Sequence, residues 1–438
     1  MLFRKIQSTI EEYMRNPGNK ILLVDGARQV GKTFIIRDSG KKLFENYIEI
    51  NLAEDRNGDQ RFQSVHNPSD FYFQLSMIAG QLMKEKNNTL VFLDEIQEYP
   101  HLLTLLKFLK QDDRFTYIAS GSLLGVTLSK TSSIPIGSIT IRRMYQLDFE
   151  EFLYANGYGQ EALQIIRKKY ESGENLDETT HRDLMETFRR YLLVGGLPDA
   201  VNAYIAEKNM YQVRQIQNEI HDFYAADAAK YDKEHRLKIC RIYDMIPSEL
   251  ENKKKRIVIK DIDGVKGKTH KNYKDEFDYL ISAGIALEVK AVSTPVYPLI
   301  ENSTKNLLKL YLNDVGILTS ILFPVNMDAI LKDIASINLG SVYEAVVASE
   351  LKAHGHQLFY YDNRKNGEVD YLINDHERMK VLPIEVKSGK DYYIHRALDS
   401  FLEGDRYPVE RGIVLSNDRE IRTDGPVTYY PVYDVMFL

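Results

Sequence analysis

Apolar residues follow two different spacings in the first half of the chain. Short, mostly apolar runs at Ile21–Val24, Leu90–Leu93 and Phe115–Ser120 are typical of strands buried on both faces, as in parallel sheets. After the first run, and again in a long stretch beyond residue 155, apolar residues recur at helical spacing. The pattern therefore predicts an α/β core with a parallel sheet at residues 1–155 and a helical lid at residues 156–232.

The second half of the chain changes pattern twice. Residues 239–292 read as three helices followed by a β-rich segment, which is the order of a winged helix, and they predict a connector at residues 233–325. From about Gly340 the chain reads as a helix, three strands, a helix and a further strand. This order predicts a C-terminal α/β domain with a mixed sheet at residues 326–438.

The composition fits well-cored globular domains. Hydrophobic residues make up 44% and charged residues 27% of the 438 residues, a length typical of about two to four domains. No apolar run approaches the ~20 residues that span a bilayer, and the charged N-terminal segment lacks the apolar core of a secretory signal. The single Cys240 excludes an internal disulfide, and no Cys/His cluster indicates zinc. These features predict a cytoplasmic protein without a membrane partner.

A phosphate-binding motif follows the first apolar run. The sequence GARQVGKT matches the P-loop pattern in its required position between a strand and a helix. In such a loop the backbone N–H groups and the helix dipole face an anion, Lys32 reaches the β- and γ-phosphates, and Thr33 coordinates Mg²⁺. A chance match in a βα turn is the alternative, but a partner motif occurs further along the chain. The residues expected to bind the nucleotide are Gly26, Ala27, Arg28, Gln29, Val30, Gly31, Lys32, Thr33 and Phe34.

The partner motif is Asp94-Glu95, at the carboxyl end of the second apolar run. Ligands of open α/β sheets bind at this end of the strands, where Asp94 would hold Mg²⁺ and Glu95 would act as general base on the attacking water. Taken alone, two acids in a surface turn would be the simpler interpretation. Together with the P-loop, they predict ATP hydrolysis with Glu95 and Lys32 as catalytic residues and with Thr33 and Asp94 as the residues that hold Mg²⁺.

The third apolar run ends in Ser120-Gly121-Ser122. The hydroxyl of Ser120 or Ser122 would lie between the P-loop and the Asp94 strand, where it senses the γ-phosphate or orients water. We assign Ser122 to the nucleotide site, although a turn that caps the next helix is an equally good interpretation. The chain has no Asn-Lys-x-Asp guanine signature, which favours ATP over GTP.

A series of motifs extends over nearly the whole chain: GARQVGKT, VFLDEIQ, ASGSLL, LDFEEFL, YLLVGGLPDAV, GSVYEAVVASEL, GEVDYLI and IEVKSG. As an ordered set they resemble the bacterial and archaeal AAA+-type ATPases that carry a C-terminal domain of uncharacterised function. The resemblance implies binding of ATP with Mg²⁺. By residue match it supports Lys32, Thr33, Asp94 and Glu95 in the roles given above.

The chain departs from these relatives at one point. They tend to have a Gly-Arg pair before the L-x-F-x-E-F segment, whereas this chain has Gly137-Ser138. Arg142 and Arg143 follow closely and are either an arginine finger for a neighbouring subunit or plain surface residues. The identity of an arginine finger, and the need for assembly, stay open.

A local excess of positive charge lies in the predicted connector, although the net charge of the chain is −6. Between Asn252 and Lys274 there are nine Lys or Arg residues and two Asp residues. Lys268, Lys271 and Lys274 stand near the start of the third predicted helix, the end of a recognition helix that enters the major groove. Lysines favour phosphate contact over base reading, so these residues are candidate DNA contacts. A solvated basic loop or a docking surface is the alternative.

Three acids and a lysine are spaced through the predicted C-terminal domain. Glu344 lies on its first helix, Asp370 on its second strand, and Glu385 and Lys387 on one face of its third strand. Asp370 and Glu385 would converge on a second divalent metal, with Glu344 nearby, and Lys387 would orient water or stabilise developing charge. This arrangement resembles the D…E-x-K core of the PD-(D/E)xK nuclease fold, and an inactive, salt-bridged remnant is the alternative.

Two functions of different classes follow from these features. The first is an Mg²⁺-dependent ATP hydrolase of AAA+ type that binds or processes DNA through a nuclease-like C-terminal domain. The second is a nucleotide-controlled switch whose C-terminal domain is an inert protein-interaction module. Either version admits a homo-oligomer or a protein partner.

Overall fold

The computed structural model divides the chain into two compact units, each described by itself. The P-loop unit comprises Arg4–Tyr145 with Ser282–Gly284, and the second unit comprises Met1–Phe3, Gln146–Ile281 and Ile285–Leu438. The structure describes residues 1–84, 88–122, 137–231, 235–252, 255–265, 267–332, 338–363, 367–403 and 407–438, without the side chains of 228–231 and 304–307. No helix within these ranges is both long and apolar enough to cross a membrane.

The P-loop unit is built on a parallel sheet. Its strands are β1 (Ile21–Asp25), β2 (Asn46–Asn51), β3 (Thr89–Asp94), β4 (Thr116–Gly121) and β5 (Ile139–Arg143). Its helices are α1 (Ile6–Arg15), α2 (Lys32–Leu43), α3 (Leu52–Asn57), α4 (Pro68–Ala79) and α5 (Pro100–Asp112). The five strands lie in the order β2-β3-β4-β1-β5, and every pairing is parallel. All residues of β1, β3 and β4 are buried, as expected for central strands of a parallel sheet.

The second unit begins with a helical segment. Its helices are α6 (Phe149–Ala155), α7 (Gln160–Ser172), α8 (Glu178–Val194), α9 (Pro198–Glu207) and α10 (Met210–Tyr231). Helices thus occupy most of the predicted 156–232 segment, while its role as a lid stays a prediction.

The glycine pair of the VGGLPDAV motif lies where three segments of the second unit meet. A Cβ atom on Gly195, whose φ is +70°, would lie 2.1 Å from Oδ1 of Asp314, and a Cβ atom on Gly196 would lie 2.0 Å from the carbonyl oxygen of Leu147. Asp314 accepts hydrogen bonds from the backbone N–H of Gly196 at 2.7 Å and of Ile317 at 3.1 Å. The motif therefore contributes close packing, which only glycine permits.

The remaining chain forms helices around a mixed sheet. The helices are α11 (Arg236–Glu251), α12 (Lys260–Asp263), α13 (Lys274–Ser282), α14 (Val315–Leu322), α15 (Asp328–Leu331), α16 (Gly340–Ala353) and α17 (Arg396–Leu402). The strands are β6 (Ala286–Val292), β7 (Ser303–Leu312), β8 (Phe359–Asn363), β9 (Gly367–Asp375), β10 (Lys380–Val386), β11 (Gly412–Ser416), β12 (Arg422–Asp424) and β13 (Val427–Pro431). Short 3₁₀ turns occur at Gly80–Leu82, Ile96–Glu98, His270–Tyr273, Leu299–Asn302 and Val432–Phe437.

The eight strands lie in the order β12-β13-β11-β10-β9-β8-β6-β7 and mix parallel with antiparallel pairs. The predicted sequence of a helix, three strands, a helix and a strand is present. The β-rich segment that we predicted as a wing is the hairpin β6-β7, and it belongs to this sheet because Lys290 and Ala291 pair with Phe359 and Tyr360 of β8. The boundary predicted between residues 325 and 326 therefore separates strands that share one sheet.

Candidate nucleotide site and C-terminal acid cluster

The P-loop connects the buried β1 to the first turn of α2. Gly26 follows β1 directly, and a Cβ atom there would lie 2.2 Å from the carbonyl oxygen of Met144, so no larger residue fits. Gly31 and Gln29 have φ values of +94° and +66°. These left-handed positions turn the loop sharply into the N-terminus of α2, a place where backbone N–H groups bind anions.

Lys32 is buried at the start of α2 and folds back over the loop. Its Nζ donates to the carbonyl oxygens of Gly26 at 2.9 Å and Ala27 at 2.8 Å. Burial lowers the pKa of Lys32, while the nearby carboxylates of Glu95 and Asp25 act in the opposite direction. The ammonium is thus held at the loop by acceptors that carry no formal charge.

Asp94 lies at the carboxyl end of β3 between two hydroxyl groups. Thr33 Oγ1 donates to Oδ2 of Asp94 at 2.8 Å, and Ser120 Oγ donates to Oδ1. Burial raises the pKa of Asp94, and the two hydroxyl hydrogen bonds partly offset that effect. The Thr33 hydroxyl and the Asp94 carboxylate are hard oxygen donors in direct contact, a set that suits Mg²⁺. Ser120 supports Asp94, whereas Ser122 reaches the neighbouring glutamate.

Glu95 has an unusual backbone conformation. Its φ and ψ of 55° and 46° lie in the left-handed region, and its N–H donates to Oδ1 of Asp94 at 3.1 Å. Such a conformation costs a non-glycine residue about 1–3 kcal/mol and is concentrated at functional sites. The turn separates Glu95 from the strand and directs its carboxylate toward Ser122 and Gln97.

Gln97 is a site residue that the sequence analysis missed. Its side-chain amide donates to Oε2 of Glu95 and, at 3.4 Å, to Oγ of Ser122. Ser122 Oγ also accepts from Nε of Arg28 at 3.2 Å. The only signal in the sequence is the position of Gln97 two residues after Glu95, and this does not reveal the contact.

The remaining predicted residues of this unit take varied positions. The Val30 side chain is buried and that of Phe34 is largely exposed. Arg143 at the end of β5 lies 3.8 Å from Asp25, measured from Nε to Oδ2, and the neighbouring Arg142 side chain is exposed. Arg143 thus lies near a carboxylate of its own unit, and Arg142 is the solvent-exposed arginine of the two.

The second unit brings together the four predicted residues of the C-terminal domain. Asp370 on β9 and Glu385 on β10 are buried on adjacent antiparallel strands, and Glu344 is buried on α16. Oδ2 of Asp370 accepts from the backbone N–H of Val386 at 2.9 Å. Nζ of Lys387 lies 2.8 Å from Oε1 of Glu385, although β10 ends at Val386 and Lys387 is the first residue after the strand. We call Glu344, Asp370, Glu385 and Lys387 the acid cluster.

Two further lysines belong to the surroundings of the acid cluster. Lys255 forms an ion pair with Glu344, whose other oxygen accepts from the hydroxyl of Tyr311 at 3.1 Å. Burial raises the pKa of Asp370 well above its usual range, with further contributions from Glu385 and Glu344, while Lys255 and Lys309 act in the opposite direction. Lys255 comes from outside the C-terminal sequence segment and was not predicted as a site residue.

One feature of the acid cluster favours a metal ion and two features oppose it. Oε2 of Glu385 is buried without a hydrogen-bond partner in the described structure, which leaves one carboxylate oxygen available as a ligand. Across the described parts of the chain, however, no group of three or more His, Cys, Asp or Glu side chains is arranged to hold a metal ion. Lys255 already supplies a positive charge among these acids.

The predicted DNA-contacting lysines stand at the His270–Tyr273 turn and the start of α13. Lys268 forms an ion pair with Asp263, and Lys274 lies 3.7 Å from Asp278, whereas the Lys271 side chain is exposed. Three more basic positions of this segment, 253, 254 and 266, lie outside the described residues. Two of the three candidate contacts are therefore near an acid of their own segment.

Three solved structures are similar to much of the chain at low identity. The Walker-type ATPase PABY2304 of Pyrococcus abyssi has 14% identity and a TM-score of 0.46, with 74% of this chain and 96% of that chain covered. AMPPCP-bound DnaA from Aquifex aeolicus has 13% identity and a TM-score of 0.29, with 63% and 86% covered. Cdc6p from Pyrobaculum aerophilum has 13% identity and a TM-score of 0.26, with 75% and 94% covered. Similarities at this level carry no functional argument.

Family models match three consecutive parts of the chain. Residues 185–327 match a domain of unknown function, DUF8612, and residues 339–434 match another, DUF4143, so neither match assigns a nuclease activity. No curated protein matches the chain. Residues 18–153 match an AAA domain, AAA_14. This match, with the P-loop and the parallel sheet, supports an AAA-type ATPase domain at residues 18–153.

Proposed function

We propose that the P-loop unit binds ATP with Mg²⁺ and hydrolyses it. The observation that carries this proposal is the contact of 2.8 Å between Thr33 and Asp94, because it joins the P-loop to the acid-bearing strand at the carboxyl end of the sheet. The backbone N–H groups from Gly26 to Phe34 surround the phosphates, and Lys32 contacts the β- and γ-phosphates. Thr33 and Asp94 hold Mg²⁺, which neutralises charge on the phosphates.

Glu95 is the general base in this proposal. Its carboxylate lies next to the Mg²⁺-binding pair, and no lysine or arginine forms an ion pair with it in the described structure. A carboxylate held by neutral donors keeps the capacity to accept a proton from water. Ser122 contacts the same carboxylate and completes the nucleotide site.

The test is Mg²⁺-dependent ATP turnover by the full chain and by Glu95→Gln. A general base typically contributes roughly 10²–10⁴-fold, so Glu95→Gln should lose at least about 100-fold in kcat while it retains ATP binding. Glu98→Gln is the matched control, since Glu98 lies on the same turn and its carboxylate is 4.0 Å from Arg56, at the surface. Equal turnover by Glu95→Gln and wild type would remove Glu95 from this role.

A second candidate function belongs to the acid cluster. The proximity of Asp370 and Glu385, with Lys387 beside them, favours a nuclease-like site coupled to the ATPase. Asp370 and Glu385 would hold the divalent metal, which would activate water and stabilise charge on a phosphodiester. The lysines at 268, 271 and 274 would contact DNA phosphates. In this proposal ATP binding or hydrolysis controls access of DNA to the cluster.

The competing proposal is a nucleotide-controlled switch with an inert C-terminal interaction module. The ion pairs of Lys255 with Glu344 and of Lys387 with Glu385 favour it, because they already neutralise the acids. A plasmid-cleavage assay with Mg²⁺ or Mn²⁺, with and without ATP, separates the two. Cleavage by wild type and its loss in Asp370→Ala support the nuclease. Absence of cleavage by wild type, with wild-type ATP turnover in Asp370→Ala and Lys387→Ala, supports the switch.

A further inference from the structure

The carboxylate of Glu95 is held at one oxygen by two neutral donors. The side-chain amide of Gln97 donates to Oε2, and the hydroxyl of Ser122 donates to the same atom at 3.3 Å. Both bonds therefore fix one edge of the carboxylate. Within the described structure, Oε1 of Glu95 receives no hydrogen bond, and it is the atom on which a proton from water would be placed.

The same residues connect Glu95 to the P-loop. Ser122 Oγ accepts from Nε of Arg28 at 3.2 Å and lies 3.4 Å from Nε2 of Gln97. Arg28 stands in the middle of the phosphate-binding loop, and its charge also influences the pKa of Lys32. The Ser122 hydroxyl thus joins Arg28 of the phosphate-binding loop to the carboxylate of Glu95.

Gln97 has one unsatisfied atom. Its Oε1 is buried and has no hydrogen-bond partner in the described structure. A buried amide oxygen without a donor is unfavourable, so a donor that arrives during the reaction would be favoured. A water molecule beside Glu95 offers two O–H donors, one for the carboxylate and one for this amide oxygen.

We infer that Gln97 is a positioning residue for ATP hydrolysis, which orients the Glu95 carboxylate through Nε2 and the attacking water through Oε1. This inference rests on the proposed ATPase function. In the step, the water oxygen bonds to the γ-phosphorus while the bond to the bridging oxygen breaks, and its electron pair leaves on ADP. One water proton passes to Glu95, and the other stays on the oxygen that becomes part of the phosphate.

The inference is tested by kcat and KM for steady-state ATP hydrolysis in Gln97→Ala. Displacement of a catalytic group by about 1 Å costs up to roughly 10²-fold, so kcat should fall about tenfold with little change in KM for ATP. A fall in kcat at unchanged KM is the signature of a group that acts on the reacting water. A purely structural role would change KM or the melting temperature as well.

Two further variants keep the test independent of folding. Gln97→Met has a similar length and no amide, and it should show the same loss of kcat at unchanged KM. Ser122→Ala should lower kcat by a smaller factor, because the Gln97 bond to Glu95 stays. Asn88→Ala is the matched control, since the Asn88 amide donates to Glu45 at 3.2 Å beside the opposite end of β3. It should match wild type in kcat and in KM.

The outcomes separate this inference from the proposed function. Wild-type kcat in both Gln97 variants would overturn the role of Gln97 and leave the ATPase intact. No Mg²⁺-dependent hydrolysis by wild type, with ATP bound or unbound, would overturn the proposed function itself. A loss of activity that comes from a higher KM, with kcat unchanged, would also reject positioning of the water and the base by Gln97.

Discussion

The nucleotide site and the acid cluster both place lysine near buried acids, but the acids have different partners. In the nucleotide site Asp94 bonds two hydroxyls, and Lys32 bonds backbone carbonyls rather than a carboxylate. In the acid cluster the lysines bond the carboxylates themselves, Lys255 to Glu344 and Lys387 to Glu385. The carboxylate of the nucleotide site is thus bonded by neutral groups, whereas two carboxylates of the acid cluster are paired with a cation.

This difference decides which ligand each site favours. A hydroxyl satisfies the hydrogen-bonding needs of a carboxylate and leaves its charge, which a divalent cation can then use. An ammonium neutralises that charge, and a metal ion must displace it before binding. We therefore expect Mg²⁺ to bind with its nucleotide at Asp94 readily, and a metal to bind at the acid cluster only in competition with a lysine.

The largest expected effect is on the nucleotide site itself. Lys32→Ala removes the charged contact to the β- and γ-phosphates, and the loss of one such electrostatic contact costs roughly 10²–10³-fold in rate. ATP turnover should fall by at least about 100-fold. Lys42→Ala is the control on the same helix, because Lys42 forms a surface pair with Asp38 at 2.6 Å. Full ATP turnover by Lys32→Ala would contradict the assignment of Lys32 to the nucleotide site.

The second effect concerns Lys255 and the stability of the second unit. Breaking a buried ion pair costs about 3–5 kcal/mol, and the Lys255 side chain is 23% exposed, so Lys255→Met should lose about 2–3 kcal/mol of unfolding free energy. Glu344 would then lack its cation. Addition of Mn²⁺ should raise the melting temperature of Lys255→Met more than that of wild type.

Lys290→Met is the matched control for that measurement. Lys290 on β6 pairs with Glu288 at 3.0 Å and its side chain is 39% exposed, so its loss should cost less than about 1 kcal/mol. It should respond to Mn²⁺ as wild type does. Equal Mn²⁺ responses of all three proteins would show that Lys255 does not stand where a metal would bind.

Asp314 sharpens the comparison, because it is a buried acid held mainly by backbone N–H groups. Burial raises its pKa to about 6, so folding favours its protonated form, and the associated stability is complete below about pH 4 and lost as the pH rises through 6. Asp314→Asn stays neutral at every pH. Between pH 4 and 7, the unfolding free energy of wild type should fall by up to about 3 kcal/mol relative to that of this variant.

The measurement is the unfolding free energy of both proteins at several pH values. Asp314→Asn also loses an acceptor oxygen. This loss changes the unfolding free energy by the same amount at every pH, so it does not alter the pH dependence. A difference that is flat from pH 4 to 7 would mean that the Asp314 carboxylate is satisfied by its N–H donors in the charged form.

Local motifs explain how much of the fold was predictable. The strand, loop and helix around GARQVGKT are continuous in sequence, so residue order alone places Lys32 and Thr33 at one end of β1. Asp94 is predictable because parallel strands end at a common edge. The position of Gln97 relative to Glu95 depends on the left-handed turn at Glu95, which a non-glycine residue does not announce.

Contacts between distant segments explain what the sequence analysis missed. Lys255 has a left-handed backbone, with φ of +47°, and pairs with an acid 89 residues later, a separation for which periodicity gives no signal. The hairpin β6-β7 shows the alternation of any hairpin, and its partner strand β8 comes much later in the chain. Local patterns thus identify elements and contiguous motifs, whereas sheet membership and ion pairs depend on tertiary packing.

The smallest expected effect concerns the lysines near α13. A plot of the logarithm of DNA affinity against the logarithm of salt concentration has a negative slope. If this segment contacts DNA phosphates, each lost contact makes that slope shallower by about 0.9. Lys271→Ala should show this change, because the Lys271 side chain is exposed. Lys268→Ala should show less, since Lys268 must first leave Asp263 to reach a phosphate. The measurement is DNA affinity as a function of salt concentration. Equal slopes for wild type and Lys271→Ala would argue against phosphate contact by Lys271.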